Sequence, residues 1–456
     1  MKKLYLQPSE TNIRDCFYKD SIGRNHDIFS FIRILNAIDD NFSIALDSYW
    51  GSGKTFFVKQ VKMILDATSE KSYTDVEGKE QILEIWKSLS NNQKFKSYAT
   101  IYYDTWKNDN DDDPIYSLIY QIVCDTRIEK GLKESINFSD ILEVAGRFTC
   151  AVAGFNPNEI ATPLKKQDFL GVIRERQDID SRIEDFFEKI IPEGCDRLLI
   201  IIDELDRCSP TFAVKLLERI KHYFTNDRIT FVFSVNLSEL QISVRNFYGN
   251  EFNASRYLDR FFDLRVSLPP INMDRFIMYA ADLTSCFSHP DIIKSVIKTQ
   301  NMQMRECLKY ISTMRLMQGF LSSNDYFPVE NPTGYAKFFL VQFLIPVLVS
   351  ERICNIFLYN RFINENDWSL LDYYSKRIDI CSDEYYHICR LLLEIPSDDS
   401  IKNKKMFVNN LENYYNALMK ETKEVKVGKC LITSTTRSLF WESISLLSDK
   451  TSLDEL

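Results

Sequence analysis

The chain has 456 residues, 45% of them apolar and 13% aromatic, which is enough for a large α/β domain and a second, helical one. Disorder is therefore expected only at the ends and in a few loops. A net charge of −9 argues against indiscriminate nucleic-acid binding, which needs a basic surface, and leaves open only a local basic groove.

At the start, Met1-Lys2-Lys3 is basic, but Leu4-Tyr5-Leu6 is too short for the apolar core of a secretory leader and soon meets Gln7-Pro8. The first strong element is the apolar run Phe42 to Leu46, which predicts a buried strand. It breaks into Asp47-Ser48-Tyr49-Trp50-Gly51-Ser52-Gly53-Lys54-Thr55, followed by Phe56, Phe57, Val58, Val61, Ile64 and Leu65 at helical spacing. Strand, Gly-rich turn and helix in that order make a triphosphate cradle. The turn aims backbone N–H groups at phosphate oxygens, and the helix adds its positive end. Trp50, Gly51, Ser52, Gly53, Lys54, Thr55 and Phe56 form the predicted cradle. In it Lys54 reaches the β- and γ-phosphates and the Thr55 hydroxyl holds Mg²⁺. Ser48 stands where the usual pattern opens with Gly, and Ser tolerates tight turns less freely.

Tyr98 to Tyr103 reads as a second strand. The acidic run Asp109-Asn110-Asp111-Asp112-Asp113 invites a calcium-loop reading. It fails because Pro114 stands where the loop needs Gly and Tyr120 where it needs Glu. Asp113-Pro114 is instead an N-cap with Pro at the first helical position, and Ile115, Leu118, Ile119 and Ile122 give the helix a buried stripe. A mainly helical, polar insertion is expected at about 128–182, with Cys150 to Phe155 as its one apolar core.

Arg197 to Ile202 is a continuous apolar run ending in Asp203-Glu204-Leu205-Asp206-Arg207-Cys208, as expected of a central parallel strand. Open α/β sheets bind ligands at the carboxyl ends of their strands. Asp203 is placed to hold Mg²⁺ and Glu204 to orient and deprotonate the attacking water. Ile229 to Val235 is a further strand. Asn236 at its tip is a candidate sensor of the γ-phosphate or of that water. Phe261 to Leu268, closed by Pro269-Pro270, completes about five strands separated by helical stretches, the pattern of a parallel sheet.

These residues resemble the KAP group of P-loop NTPases, within the class that adds a catalytic acid beside the magnesium aspartate. The resemblance rests on Asp20-Ser21-Ile22-Gly23-Arg24, on Tyr49 to Thr55, on Asp104-Thr105-Trp106-Lys107 and on Ile202 to Cys208. It extends to Tyr257-Leu258-Asp259-Arg260-Phe261-Phe262 with Leu268-Pro269-Pro270, and to Met304-Arg305-Glu306-Cys307-Leu308-Lys309-Tyr310, where Met304 replaces the family's Pro. The family usually has Asp where this chain has Glu204.

The resemblance implies an ATPase or GTPase module, here expected to use ATP and Mg²⁺, working as a switch in a larger assembly. Partners would be copies of itself or co-encoded effector proteins, and many bacterial relatives look like parts of phage-exclusion or defence systems. By the same resemblance, Asp20 and Arg24 lie near the base. Arg260 and Arg305, with Arg207 and Arg256 behind them, are candidates for a trans-acting or sensing arginine. Surface ion pairs, such as Asp259 with Arg256 or Arg260, are the alternative. Family members often carry membrane-spanning helices between the two nucleotide motifs, where this chain is polar.

From Met273 onward strand signals fade, and 273–456 reads as a helical lid and C-terminal helical domain after a nucleotide domain at 1–272. Ile292 to Ile297, Tyr385 to Leu393, Phe407 to Leu418 and Leu439 to Leu447 show helical spacing. Phe407, Leu411, Tyr414 and Leu418 share a face. Phe338 to Val349 is apolar but is interrupted by Gln342 and Pro346, and it falls short of the ~20 residues that span a bilayer. It reads as a buried helix. Lys402, Lys404 and Lys405 read as a solvated helix start. The eleven cysteines, Cys381 and Cys389 among them, show no metal or disulfide spacing and fit a reducing cytoplasm.

Overall fold

A computed structural model of the protein describes residues 7–69, 76–91, 93–111, 114–128, 190–281, 290–323, 331–365, 367–377 and 401–447. Five apolar runs pair as strands: Phe42–Asp47 (β1), Tyr98–Asp104 (β2), Arg197–Asp203 (β3), Ile229–Val235 (β4) and Leu264–Ser267 (β5). All are parallel, in the order β2-β3-β4-β1-β5. Successive side chains on a strand point to opposite faces, so this sheet feeds two cores. Ala99, Ile101, Tyr103, Leu198, Ile200, Ile202, Phe231 and Phe233 pack on one side. Ile44, Leu46, Leu199, Ile201 and Val232 pack on the other, against helices that include Asn25–Asn36 (α1) and Lys54–Thr68 (α2). Burial on both faces is why β3 and β4 are apolar at nearly every position.

The register aligns the carboxyl ends. Asp104 pairs with Asp203, Asp203 with Ser234, and Val235 with Asp47, so three acids finish within one residue of one another at the carboxyl end of the sheet. One strand, β4, stands between β1 and β3.

One expectation needs correction, and another holds at its helix start. The last strand is shorter than Phe261 to Leu268, because Phe261 and Phe262 turn into the core, where Phe262 meets Phe233 edge-on at 5.3 Å. Asp263 then takes the place of a ladder residue: its N–H donates to the Ser43 carbonyl and its carboxylate accepts from the Ser43 N–H, each at 2.8 Å. The helix after the acidic run begins at Pro114, with Asp113 outside the described residues. Asp109 of that run accepts the backbone N–H of Ser209 at 2.9 Å, beside the helix Pro210–Tyr223 (α3).

Contacts group the chain into a sheet unit, Gln7–Ile271, and a second unit that carries Asn272–Leu456. The second unit is helical but includes an antiparallel hairpin, Val425–Val427 (β6) with Cys430–Ile432 (β7), turned at Gly428 with φ 58°. Its longest apolar element runs from Pro332 to Cys354. At 23 residues it has the length and composition to cross a membrane, and two thirds of its apolar window is buried within the protein. This helix is longer than the sequence suggests because Pro346 does not end it. Pro supplies no N–H and crowds the preceding turn, and a widened π turn at Leu340–Leu344 absorbs the defect. Leu411, Tyr414 and Leu418 of Ile401–Met419 (α4) are buried on one face, with the Tyr414 hydroxyl donating to the Ala336 carbonyl at 2.7 Å. The insertion beyond Ile128 and the stretch Tyr385 to Leu393 lie outside the described residues.

Candidate nucleotide site

The loop between β1 and α2 turns on two glycines, Gly51 at φ 82° and Gly53 at φ 88°. No other loop residue needs a left-handed backbone, so Ser48 replaces the usual Gly without strain; its N–H donates to the Val235 carbonyl at 3.1 Å. Gly53 caps α2, whose first-turn N–H groups have no partner within the helix. The Ser52 hydroxyl is buried without a hydrogen-bond partner. Phe56 is buried and Thr55 half-buried.

Lys54 is only 9% exposed. Its ammonium donates to two carbonyls of its own loop, Ser48 at 2.5 Å and Tyr49 at 3.1 Å. Burial pulls its pKa down, against the opposing pull of Asp206 and Asp203. Those acids belong to the far motif, so the two motifs converge on one ammonium. They are also joined directly: the Trp50 indole N–H donates to the Asp206 carboxylate at 2.5 Å. Burial pushes Asp206 upward, and Trp50 and Lys54 oppose it.

Asp203, 1% exposed, is held at both ends of the residue. Its carboxylate accepts the Tyr102 hydroxyl at 2.8 Å and the Glu204 N–H at 3.0 Å. Its carbonyl accepts the Thr105 N–H at 3.1 Å and hydroxyl at 2.7 Å. Burial, and then the Asp203 charge, push the Tyr102 phenol far up, which keeps it a donor.

Glu204 sits in the left-handed region at φ 63°, uncommon for a residue with a side chain. Its carboxylate pairs with Arg207 at 3.0 Å. Burial raises its pKa while Arg207 lowers it. The Arg207 guanidinium in turn lies 5.5 Å from the centre of the Trp106 ring.

The other predicted site residues are placed as follows. The Asn236 side chain accepts the Ser238 N–H at 3.2 Å and caps the helix Leu237–Tyr248, while its backbone N–H serves Asp206. The Asp20 carboxylate accepts the Asn25 N–H at 3.1 Å at the start of α1. Arg24 is buried beneath the cradle, donating to the Ser52 carbonyl at 2.9 Å and also to the Pro269 carbonyl. Burial pulls its pKa to about 10, opposed by Asp27. Arg24 thus ties the phosphate loop to the chain after β5.

Arg260 is exposed and, among the described residues, makes no ion pair. Asp259 pairs with Arg265, and not with Arg256 or Arg260 as in the alternative given for those arginines. Arg305 is exposed in the first turn of Met304–Ser323, in the helical unit. Sequence reasoning missed Tyr102 and Thr105, which reach Asp203 only through the β2–β3 pairing. It noted Asp206 only as part of an acidic string, although its spacing from Asp203 was a usable signal.

The chain matches the KAP family P-loop domain over residues 24–327, well over half of its length. It belongs to the KAP family of P-loop NTPases. The fold is accordingly α/β, a P-loop NTPase of the additional-catalytic-glutamate type, and nucleotide binding goes with that family. None of the curated proteins matches the chain. Among solved structures, that of the Aeropyrum pernix ORC2 protein (ADPNP-ADP complexes) is similar at 12% identity and a TM-score of 0.34. That alignment covers 87% of this chain and 95% of the other.

Proposed function

We propose that this KAP-family chain is a Mg²⁺-dependent ATPase that acts as a nucleotide-driven switch in a multi-protein complex of bacterial anti-phage defence. One observation carries the catalytic part: Trp50 of the cradle is hydrogen-bonded to Asp206 of the acidic motif, with Lys54 under the influence of both Asp203 and Asp206. The residues fit the absent groups. Two left-handed glycines at a helix start and an unpartnered Ser52 hydroxyl suit phosphate oxygens, and Thr55 and Asp203 would hold Mg²⁺. The ion supplies charge neutralisation on the phosphates.

Lys54, released from the Ser48 and Tyr49 carbonyls, would bind the β- and γ-phosphates. Glu204, released from Arg207, would accept a proton from the attacking water. Asn236 would sense it from the neighbouring strand tip. Such catalysis is positioning and charge stabilisation. Arg260, exposed and unpaired among the described residues, is the candidate to act on a second copy, and Arg305 the next. Asp20 would lie on the base side. The cysteine pattern supports a cytoplasmic setting.

Phosphate release by wild-type and Glu204→Gln proteins tests this reading. Glu204→Gln should bind nucleotide and lose turnover by about 10²–10⁴-fold, the usual worth of a general base. Comparable hydrolysis by that variant would overturn the base assignment. Mixing Arg260→Ala with Glu204→Gln should restore hydrolysis if the arginine acts across an interface. No recovery at any ratio rejects that role.

A second reading, a scaffold that binds ATP and hardly hydrolyses it, is favoured by the Glu204–Arg207 pair, which occupies the base. Wild-type phosphate release no faster than that of Glu204→Gln would establish it. A nucleic-acid-stimulated loader has no support from the charge, and a salt-dependent gel shift would be needed to revive it.

A further inference from the structure

Outside the strand ladder and among the described residues, four hydrogen bonds hold Asp203, and three of them come from one short piece of chain at the end of β2: the Tyr102 hydroxyl and the Thr105 N–H and hydroxyl. Thr105 grips only the carbonyl and so sets the backbone. On the carboxylate, Oδ1 is taken by the next residue's own N–H, a contact that comes with the local turn. Among the described residues, Tyr102 on Oδ2 is the one side chain hydrogen-bonded to the carboxylate, and so the one that fixes its rotation.

The Tyr102 ring is itself held unevenly. It lines a cleft of about 250 Å³ with Ile13, Lys62 and Met63, and is packed, partly buried, against the core that holds Ile44, Leu199 and Val232. The Lys59 ammonium stands 4.6 Å from the ring centre, a cation over a π face, and pins it. Lys59 follows Thr55 by four residues, one turn further along α2, so the same helix that offers the Thr55 hydroxyl also holds the ring that aims Asp203.

We propose that Tyr102 is a positioning residue: its hydroxyl orients the Asp203 carboxylate toward the Mg²⁺ of the bound nucleotide, with Lys59 holding the ring. This rests on the nucleotide-site reading above. Two effects compete when the hydroxyl is removed. One carboxylate oxygen is freed from a competing donor, which favours a cation, and the group loses its fixed rotation, which disfavours one. Loss of such an orienting partner at metal sites costs 10–100-fold in affinity or activity, so orientation dominates.

The test is Tyr102→Phe, which keeps the ring and its contact with Lys59. Mn²⁺ is titrated into the protein–ATP complex and bound ion is read by electron paramagnetic resonance. In parallel, affinity for a fluorescent ATP analogue is measured in EDTA, and the melting temperature without ligand is recorded. Mn²⁺ affinity should fall about 10-fold, while metal-free nucleotide affinity and melting temperature stay at wild-type values. Raised Mg²⁺ should restore turnover. Unchanged Mn²⁺ affinity overturns the proposal, as does an equal loss in the EDTA measurement, which would mark a merely structural role. Asp203→Asn separates the levels. If it too leaves Mn²⁺ affinity unchanged, the metal assignment of the site falls, and the role of Tyr102 with it.

Discussion

The sheet unit and the helical unit handle buried polar groups in opposite ways. In the sheet unit the middle of each inner strand is nearly all apolar, and Asp203, Asp206, Lys54 and Asn236 gather where the strands end. In the helical unit the polar groups lie inside the packing. Glu351 is fully buried and accepts from Gln300, which also donates to the Tyr374 hydroxyl; Ser350 stands 2.8 Å from that hydroxyl. The second oxygen of Glu351 meets no partner among the described residues.

At the strand tips the unmet capacity faces a cradle open to a ligand, so a ligand can complete it. Inside the helices Glu351 is enclosed by the packing, and a carboxylate oxygen left without a partner there would cost stability. An orphan polar group therefore points to function only where solvent or substrate can reach it.

The largest effect that would sharpen this contrast is at Lys54. Wild-type protein with ATP at ~100 times its dissociation constant gains about 2.7 kcal/mol of stability. Lys54→Ala should lose that gain in a thermal-shift titration while the ligand-free melt is unchanged. If the ligand-free melt also falls, Lys54 is part of the scaffold and the contrast is broken.

Next in size is Leu411→Ala in the helical core. Leu411 is fully buried in α4, and truncation should cost about 2–5 kcal/mol, read by denaturant titration, with nucleotide affinity per folded molecule unchanged.

A smaller effect is a pH shift. Burial raises the Glu204 pKa and Arg207 holds it back. A base must be ionised, so hydrolysis should fall as pH drops through that raised value. Arg207→Ala removes the restraint, and the acid limb of the pH–rate profile should move to higher pH. Movement to lower pH would show that the pairing is not what holds the carboxyl down.

The smallest effect is expected at Glu351. Burial raises its pKa above the ordinary 4.5, against Tyr374 and Gln300. A carboxyl raised in the folded state contributes stability that is present below its ordinary value and is lost as pH rises through the raised one. Glu351→Gln should flatten that slope in pH-dependent unfolding and otherwise leave the protein near wild-type stability.

The strands were legible because burial on both faces demands uninterrupted apolar runs, and the cradle because phosphate binding demands glycines at set places. β5 was misjudged at its start because Phe261 and Phe262 read as strand residues but are core residues of a preceding turn. The β6–β7 hairpin escaped notice because Val425, Lys426 and Val427 make too short an alternation to stand out. Tyr102 and Arg24 were illegible in their roles for a different reason. Their partners Asp203 and Ser52 are set by sheet pairing and loop placement, and no local pattern records such distant neighbours.

Trp50 donates to Asp206 and yet is 44% open to solvent. An indole so placed is a built-in fluorophore whose emission depends on the charge beside it. Were a polyanion to draw Lys54 off its loop, the field around that ring would change, and the emission of the unlabelled chain would report it.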